Sequence, residues 1–176
     1  MTRTDNMVFK GLHIVAWIIF VGLCIEAGGL LVNFIFSIFK PEFVQNLYQK
    51  IDLTVVYREN KMAFFGIYSF ILAISILKAY LFYLVIILLQ KMDLSKPFTT
   101  FVSQQILQIS HTTLSIGVLS YIAKEVAKHH YFNMTERLNE FWTDSKAFIL
   151  MGAVIYIIAI IFKKGVTIQN ENDLTV

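Results

Sequence analysis

The sequence predicts an all-α membrane protein with four transmembrane helices, arranged as two helical hairpins, and with short interfacial helices in the two long loops. Three observations predict it. Hydrophobic residues make up 57% of the 176 residues against 15% charged, and the mean hydropathy is +0.65, which is too apolar for a chain that must cover itself with charge in water. Four apolar runs meet or approach the roughly 20 residues needed to cross a hydrocarbon core about 30 Å thick. Two of those runs carry a lone ionisable residue near the middle, Glu26 in the first and Lys78 in the second. A charge at the bilayer centre costs about 2.5–3.5 kcal/mol on insertion scales, so such residues usually face protein or water and find a partner.

The chain reads as one integral membrane domain over residues 1–176, with spans at about 11–36, 64–89, 104–123 and 147–162 and a polar C-terminal tail over 165–176. The first span is retained rather than cleaved. Its apolar run is far longer than the roughly 7–15 residues of a signal core, and no small-x-small pattern follows it. Along it, Gly22, Glu26, Gly29 and Asn33 fall on one helical face, and small residues beside a carboxylate allow a neighbouring helix to come close. Cys24 lies inside this run, excludes an intramolecular disulfide by being single, and is expected as a small buried filler.

In the second span the apolar residues sum to about −5 to −10 kcal/mol of insertion free energy, which outweighs Lys78; Ser75 stands one turn before it. The third span sums to only about −2 to −5 kcal/mol and is interrupted by polar groups, of which Gln104, Gln108, His111 and Ser115 share a stripe. It therefore depends on its neighbours for insertion. Counting 1.5 Å per residue sets His111 within about one turn of the depth of Glu26 and Lys78. A buried cluster of Glu26, Lys78 and His111 is expected, supported by Gly22, Gly29, Asn33, Ser75, Gln108 and Ser115. Such a cluster is either a structural salt bridge that orders the bundle or a proton relay or polar-ligand site, since His titrates near neutrality and desolvated Lys and Glu shift readily.

Between spans, 41–51 reads as a short helix with Pro41 in its first turn and Phe43, Leu47, Tyr48 and Ile51 at helical spacing; Met134, Leu138, Phe141 and Trp142 repeat the pattern over 133–142. Both suit helices lying on the membrane surface. Trp17, Tyr57, Tyr131 and Trp142 fit an aromatic belt. His129 and His130 are adjacent, so on a helix they diverge and do not make a metal pair. No HExxH, phosphate-cradling glycine loop or nucleophile elbow is present. The sequence thus points to no enzyme, no metal and no cofactor. The net charge of +3 is scattered rather than gathered in a stripe, which gives no support to direct nucleic-acid binding.

Orientation follows from the short connections. The middle turn holds Lys91 and Lys96 with the single Asp93, and Lys163-Lys164 abuts the last span, which favours both termini in the cytoplasm. Raw counting of the longer loops leans slightly the other way.

The segment 162–176, Phe-Lys-Lys-Gly-Val-Thr-Ile-Gln-Asn-Glu-Asn-Asp-Leu-Thr-Val, resembles the terminal signature of the bacterial domain-of-unknown-function family 2975, which closes on a basic glycine-containing turn and an Asp-Leu-Thr-Val end. Lys96-Pro97-Phe98-Thr99 is similar to that family's Pro-Phe entry to its second hairpin. The resemblance implies a small four-span protein of the bacterial inner membrane, often encoded beside a small helix-turn-helix regulator. The third span departs from the family's pattern at Gln108, Ser110 and His111. Partners expected are thus membrane lipid and, by resemblance alone, a cytosolic helix-turn-helix regulator; a homo-oligomer is left open.

Two functions follow as expectations. Read from its residues, the tail has Val166, Thr167 and Ile168 favouring an extended strand, and a free carboxylate after Leu174-Thr175 suits capture by strand addition. In that reading Asn172, Asp173, Leu174, Thr175 and Val176 dock a cytosolic partner. In the alternative reading the Glu26, Lys78 and His111 cluster makes a small transporter or a ligand or proton sensor.

Overall fold

The structure, a computed structural model, describes the backbone of residues 3–40, 53–93, 95–130 and 145–173. Every regular element among the described residues is a helix: α1 (Arg3–Phe39), α2 (Thr54–Glu59), α3 (Lys61–Lys91), α4 (Thr100–His130) and α5 (Ser145–Asp173). Four of them, all except α2, are long and apolar enough to cross a membrane, α4 being the least apolar. The expected hairpin pair is thus the observed architecture, with each helix running past the predicted span. The expected interfacial helices at 41–51 and 133–142 lie outside the described residues.

The helix ends have local causes. Apart from Gly11, Gly22 and the pair Gly28-Gly29 the first 40 residues contain no breaker, and α1 stops at Phe39, just before Lys40, the position that Pro41 would push out of helical backbone. Between α2 and α3, Asn60 sits in extended backbone and its side-chain oxygen accepts from the amides of Met62 (3.0 Å) and Ala63 (3.2 Å). That N-cap satisfies two of the four orphan donors of α3. At the other end α3 stops at Lys91 and Met92 turns extended. Thr99 then caps α4, its hydroxyl accepting from the Val102 amide at 3.2 Å.

Packing follows chain order: α1 lies on α3, α3 on α4 and α4 on α5, with α2 against α3. The first hairpin is stitched along its length. Near its open end the Gln90 amide nitrogen stands 3.3 Å from His13 Nε2, which also accepts from Trp17 Nε1 at 3.0 Å. Further along, the Phe20 and Tyr83 rings meet at 6.1 Å, and the buried Tyr68 hydroxyl donates to the Leu30 carbonyl at 2.9 Å. A cluster of Phe34, Tyr57, Phe64, Phe65 and Tyr68 closes the far end, with Phe34 stacked on Tyr68 at 5.2 Å and Tyr57 edge-on to Phe64 at 5.1 Å. These rings fill the core with Ile67, Ile71 and Ile74 from α3 and Ile109 and Ile116 from α4.

The second hairpin closes differently. Gly117 of α4 lies so near α5 that a Cβ would stand 2.7 Å from the Ile149 backbone nitrogen, and at Gly152 of α5 a Cβ would stand 2.9 Å from the Leu114 nitrogen. Close backbone approach through small residues is how helices associate where lipid removes any hydrophobic drive between them. The buried Ser110 hydroxyl uses that closeness to donate to the Gly152 carbonyl at 2.9 Å. The alternation of four antiparallel helices brings the start of α1, the 92–99 turn and the end of α5 to one end of the bundle.

Candidate functional site

Two places carry the chemistry that the sequence singles out: the middle of the first hairpin, and the end of the bundle where the 92–99 turn meets α5.

In the hairpin, Glu26 and Lys78 are both half-buried. Counting between the pairs Phe20–Tyr83 and Leu30–Tyr68 sets Glu26 opposite Ile74 or Ser75, about one turn from Lys78 at 1.5 Å per residue. Lys78 belongs to the stripe on which α3 buries Ile67, Ile71, Ile74 and Leu81. Glu26 shares with Gly29 and Asn33 the half-buried flank of α1, whereas Cys24 and Leu31 on the other flank are exposed. Both charges are therefore half-buried in the first hairpin and stand about one turn apart along it. Neither makes a hydrogen bond or an ion pair with another described residue; the ion pair among the described residues joins exposed Lys128 and Glu125 at 3.3 Å.

Several details differ from the sequence reading. Cys24 is exposed rather than a buried filler. A Cβ on Gly22 would meet nothing within 4 Å, so the close helix approach expected there is made instead by Gly117 and Gly152. Ser75 is buried on α3. The α4 stripe is turned outward: Gln104, Gln108, His111 and Ser115 are all exposed. Its inward polar residues are Ser103, Gln105, Ser110, Thr112, Thr113 and Ser120, and Gln105 Nε2 donates to the Leu84 carbonyl at 3.2 Å. The physical reason is which face of α4 meets its neighbours: Gly117 and Ser110 turn to α5 and Gln105 to α3. Serine, threonine and glycine at those seams let α4 approach closely, and Gln104, Gln108, His111 and Ser115 fall on the opposite face. His111 accordingly joins neither Glu26 nor Lys78; its ring lies against Tyr156 of α5 at 6.2 Å.

At the bundle end, the Asp93 carboxylate accepts from the Ser95 hydroxyl and from the Ser95 amide, the latter at 2.9 Å. The Ser95 hydroxyl first, then the Ser95 amide, with Lys96 adding charge, hold the Asp93 carboxyl below its ordinary value. Past Pro97, the Phe98 ring meets Phe162 at 5.3 Å and covers Gly165. Lys91 lies over the Phe101 ring at 5.3 Å. A cleft of ≈ 440 Å³ opens between α4 and α5 at this end, lined by Gln104, Leu107, Tyr156, Ile160, Lys163 and Thr167 among others.

The tail departs from expectation. Val166, Thr167 and Ile168 are helical, not extended, because α5 continues without a break through Asp173. Helical backbone fixes hydrogen-bonding groups that a strand would offer to a partner, so strand addition at 166–168 is not available. Asn172 and Asp173 end the helix, and Leu174, Thr175 and Val176 lie outside the described residues. Four relationships escaped sequence reasoning: His13 with Gln90, Ser110 with Gly152, Gly117 with Ile149, and Phe98 with Gly165. Only the last had a local signal, since both residues fall in the two segments that carry the resemblance.

No family model, no curated protein sequence and no solved structure matches this chain.

Proposed function

We propose that this chain is a membrane-held interaction protein of the bacterial inner membrane, with both termini in the cytoplasm, that presents the end of α5 to a cytosolic partner. One observation carries the reading: α5 leaves its apolar stretch at Phe162 and continues as helix to Asp173, clamped at Gly165 by Phe98. Eleven residues at 1.5 Å each carry the helix about 16 Å beyond Phe162, first past Phe98 and the start of α4 and then outward from Ile168. That helix carries Lys163, Lys164, Thr167, Ile168 and Glu171 at its surface, and Ile168 is 58% exposed. A fixed polar rod with one apolar contact residue suits recognition of a helix face or groove. By the resemblance, the partner is a small helix-turn-helix regulator, and nucleic acid is reached through it rather than directly.

Two experiments test the proposal. Single cysteines at Thr4, Gln49, Ser95, Asn139 and Asn172, in a Cys24→Ser background, should react with impermeant reagent from outside only at Gln49 and Asn139. A chain ending at Gly165 should keep its helical bundle yet lose the co-purifying cytosolic protein. Reaction of Ser95 or Asn172 from outside, or full retention of the partner, contradicts the proposal.

A second reading rests on Glu26 and Lys78. Two half-buried charges about one turn apart, without partners among the described residues, suit an ion or a small zwitterion that bridges them. A tail-deleted chain that keeps its activity would favour this reading.

A further inference from the structure

We infer that two copies of this chain pair in the membrane through the outer face of α4, about a two-fold axis along the membrane normal. The face is a regular seam. Gln104, Gln108, His111, Ser115, Val118 and Ile122 follow one another at alternating steps of four and three residues, and all are exposed. That spacing is the one by which two helices pack side by side over several turns. Its composition is wrong for lipid: the hydrocarbon core offers nothing to hydrogen-bond with, and the Gln104 and Gln108 side-chain amides make no hydrogen bond with another described residue. Ser115 satisfies itself on its own helix, donating at 2.9 Å to the His111 carbonyl. The Gln104 and Gln108 side chains make no such bond among the described residues.

The chemistry selects a second copy as the occupant. A glutamine amide carries both donors and an acceptor, and a neutral imidazole carries one of each. With the two-fold along the membrane normal, each residue meets its own counterpart at its own depth, so Gln104, Gln108 and His111 pair reciprocally. The stripe holds no formal acid or base of fixed sign, so no like charges meet. Apolar Val118 and Ile122 continue the same seam and close its other half. The inner face of α4 is already filled, since Gly117 and Ser110 hold α5 and Gln105 holds α3. The pairing does not rest on the docking role of α5, although Gln104 lines one cleft with Lys163 and Thr167 and His111 lies against Tyr156.

Oxidative cross-linking in native membranes tests it, in a Cys24→Ser background. Gln108→Cys and Ser115→Cys should form disulfide-linked dimers of this chain at least tenfold faster than Ile157→Cys, which is 58% exposed on α5. A triple Gln104→Leu, Gln108→Leu, His111→Leu variant suits lipid better than the native chain and should fold with unchanged helicity. In liposomes, energy transfer between labelled copies should then report a dimer dissociation constant raised on the order of tenfold to a hundredfold, the sum of several interhelical hydrogen bonds. Equal cross-linking at Ile157→Cys overturns the inference, as does an unchanged dissociation constant in the triple variant. Cross-linking of Gln108→Cys to a different protein alone, or its rapid reaction with impermeant maleimide in a monomer, overturns it too.

Discussion

Gly165 lies against the ring of Phe98: a Cβ at that position would stand 2.5 Å from Phe98 Cδ1 and 2.8 Å from Cε1. The two residues are far apart in sequence and belong to the turn before α4 and to the emerging end of α5. Their contact fixes the direction in which α5 leaves the bundle.

Phe98→Ala should therefore loosen that end without unfolding the spans. Amide exchange over 166–171 should quicken by about tenfold or more, corresponding to roughly 1.4 kcal/mol of local opening free energy. Exchange in 105–120 should stay unchanged. If both regions quicken together, Phe98 supports the whole bundle and not the α5 end.

The α4–α5 seam should be the least tolerant of added bulk. Gly152→Ala gains up to about 1 kcal/mol in helix propensity but sets its methyl against the Leu114 backbone, which cannot rotate away; overpacking of this kind costs about 1–3 kcal/mol. Gly117→Ala meets the Ile149 nitrogen in the same way. Both should lower the thermal midpoint in detergent, whereas Gly22→Ala, with nothing within 4 Å, should raise it or leave it alone. A stabilised Gly152→Ala variant would contradict the close packing.

Glu26 and Lys78 should behave as independent charges in the protein alone. With no ion pair joining them, Glu26→Gln and Lys78→Met should have effects that add to within about 0.5 kcal/mol in the double variant. A coupling of several kcal/mol would instead mark a buried pair, in which removing one partner strands the other.

The 92–99 turn should be acid-sensitive. Asp93 has a folded pKa below its unfolded value because Ser95 donates to its carboxylate, so its contribution is present above the unfolded value and is lost as pH falls through the depressed folded value. Protection of the Ser95 amide should fall over that acid window and be absent in Asp93→Ala. A protection profile that stays flat down to the folded value of Asp93 and below it would show that the carboxylate does not hold the turn.

How much of this was legible in the sequence depends on length scale. The four spans follow from apolar runs, whereas the Asn60 cap of α3 emerges only in the structure. The depth of Glu26 against Lys78 was legible because hairpin registers follow from span lengths. Facing was not: the Gln104, Gln108, His111 and Ser115 stripe looks the same whether it turns in or out, and only Gly117, Gly152 and Ser110 meeting α5 decide it. The helical tail escaped because Val166, Thr167 and Ile168 have strand propensity that continuation from α5 and the Phe98 contact override.

The most direct measurement is photo-cross-linking in intact cells from a benzophenone amino acid at Ile168, the exposed apolar residue on the projecting end of α5. A single cross-link to a soluble cytosolic protein, lost in a Phe98→Ala background, is the predicted result. Cross-links to lipid or to the chain itself alone, or to a partner on the far side of the membrane, would contradict the account.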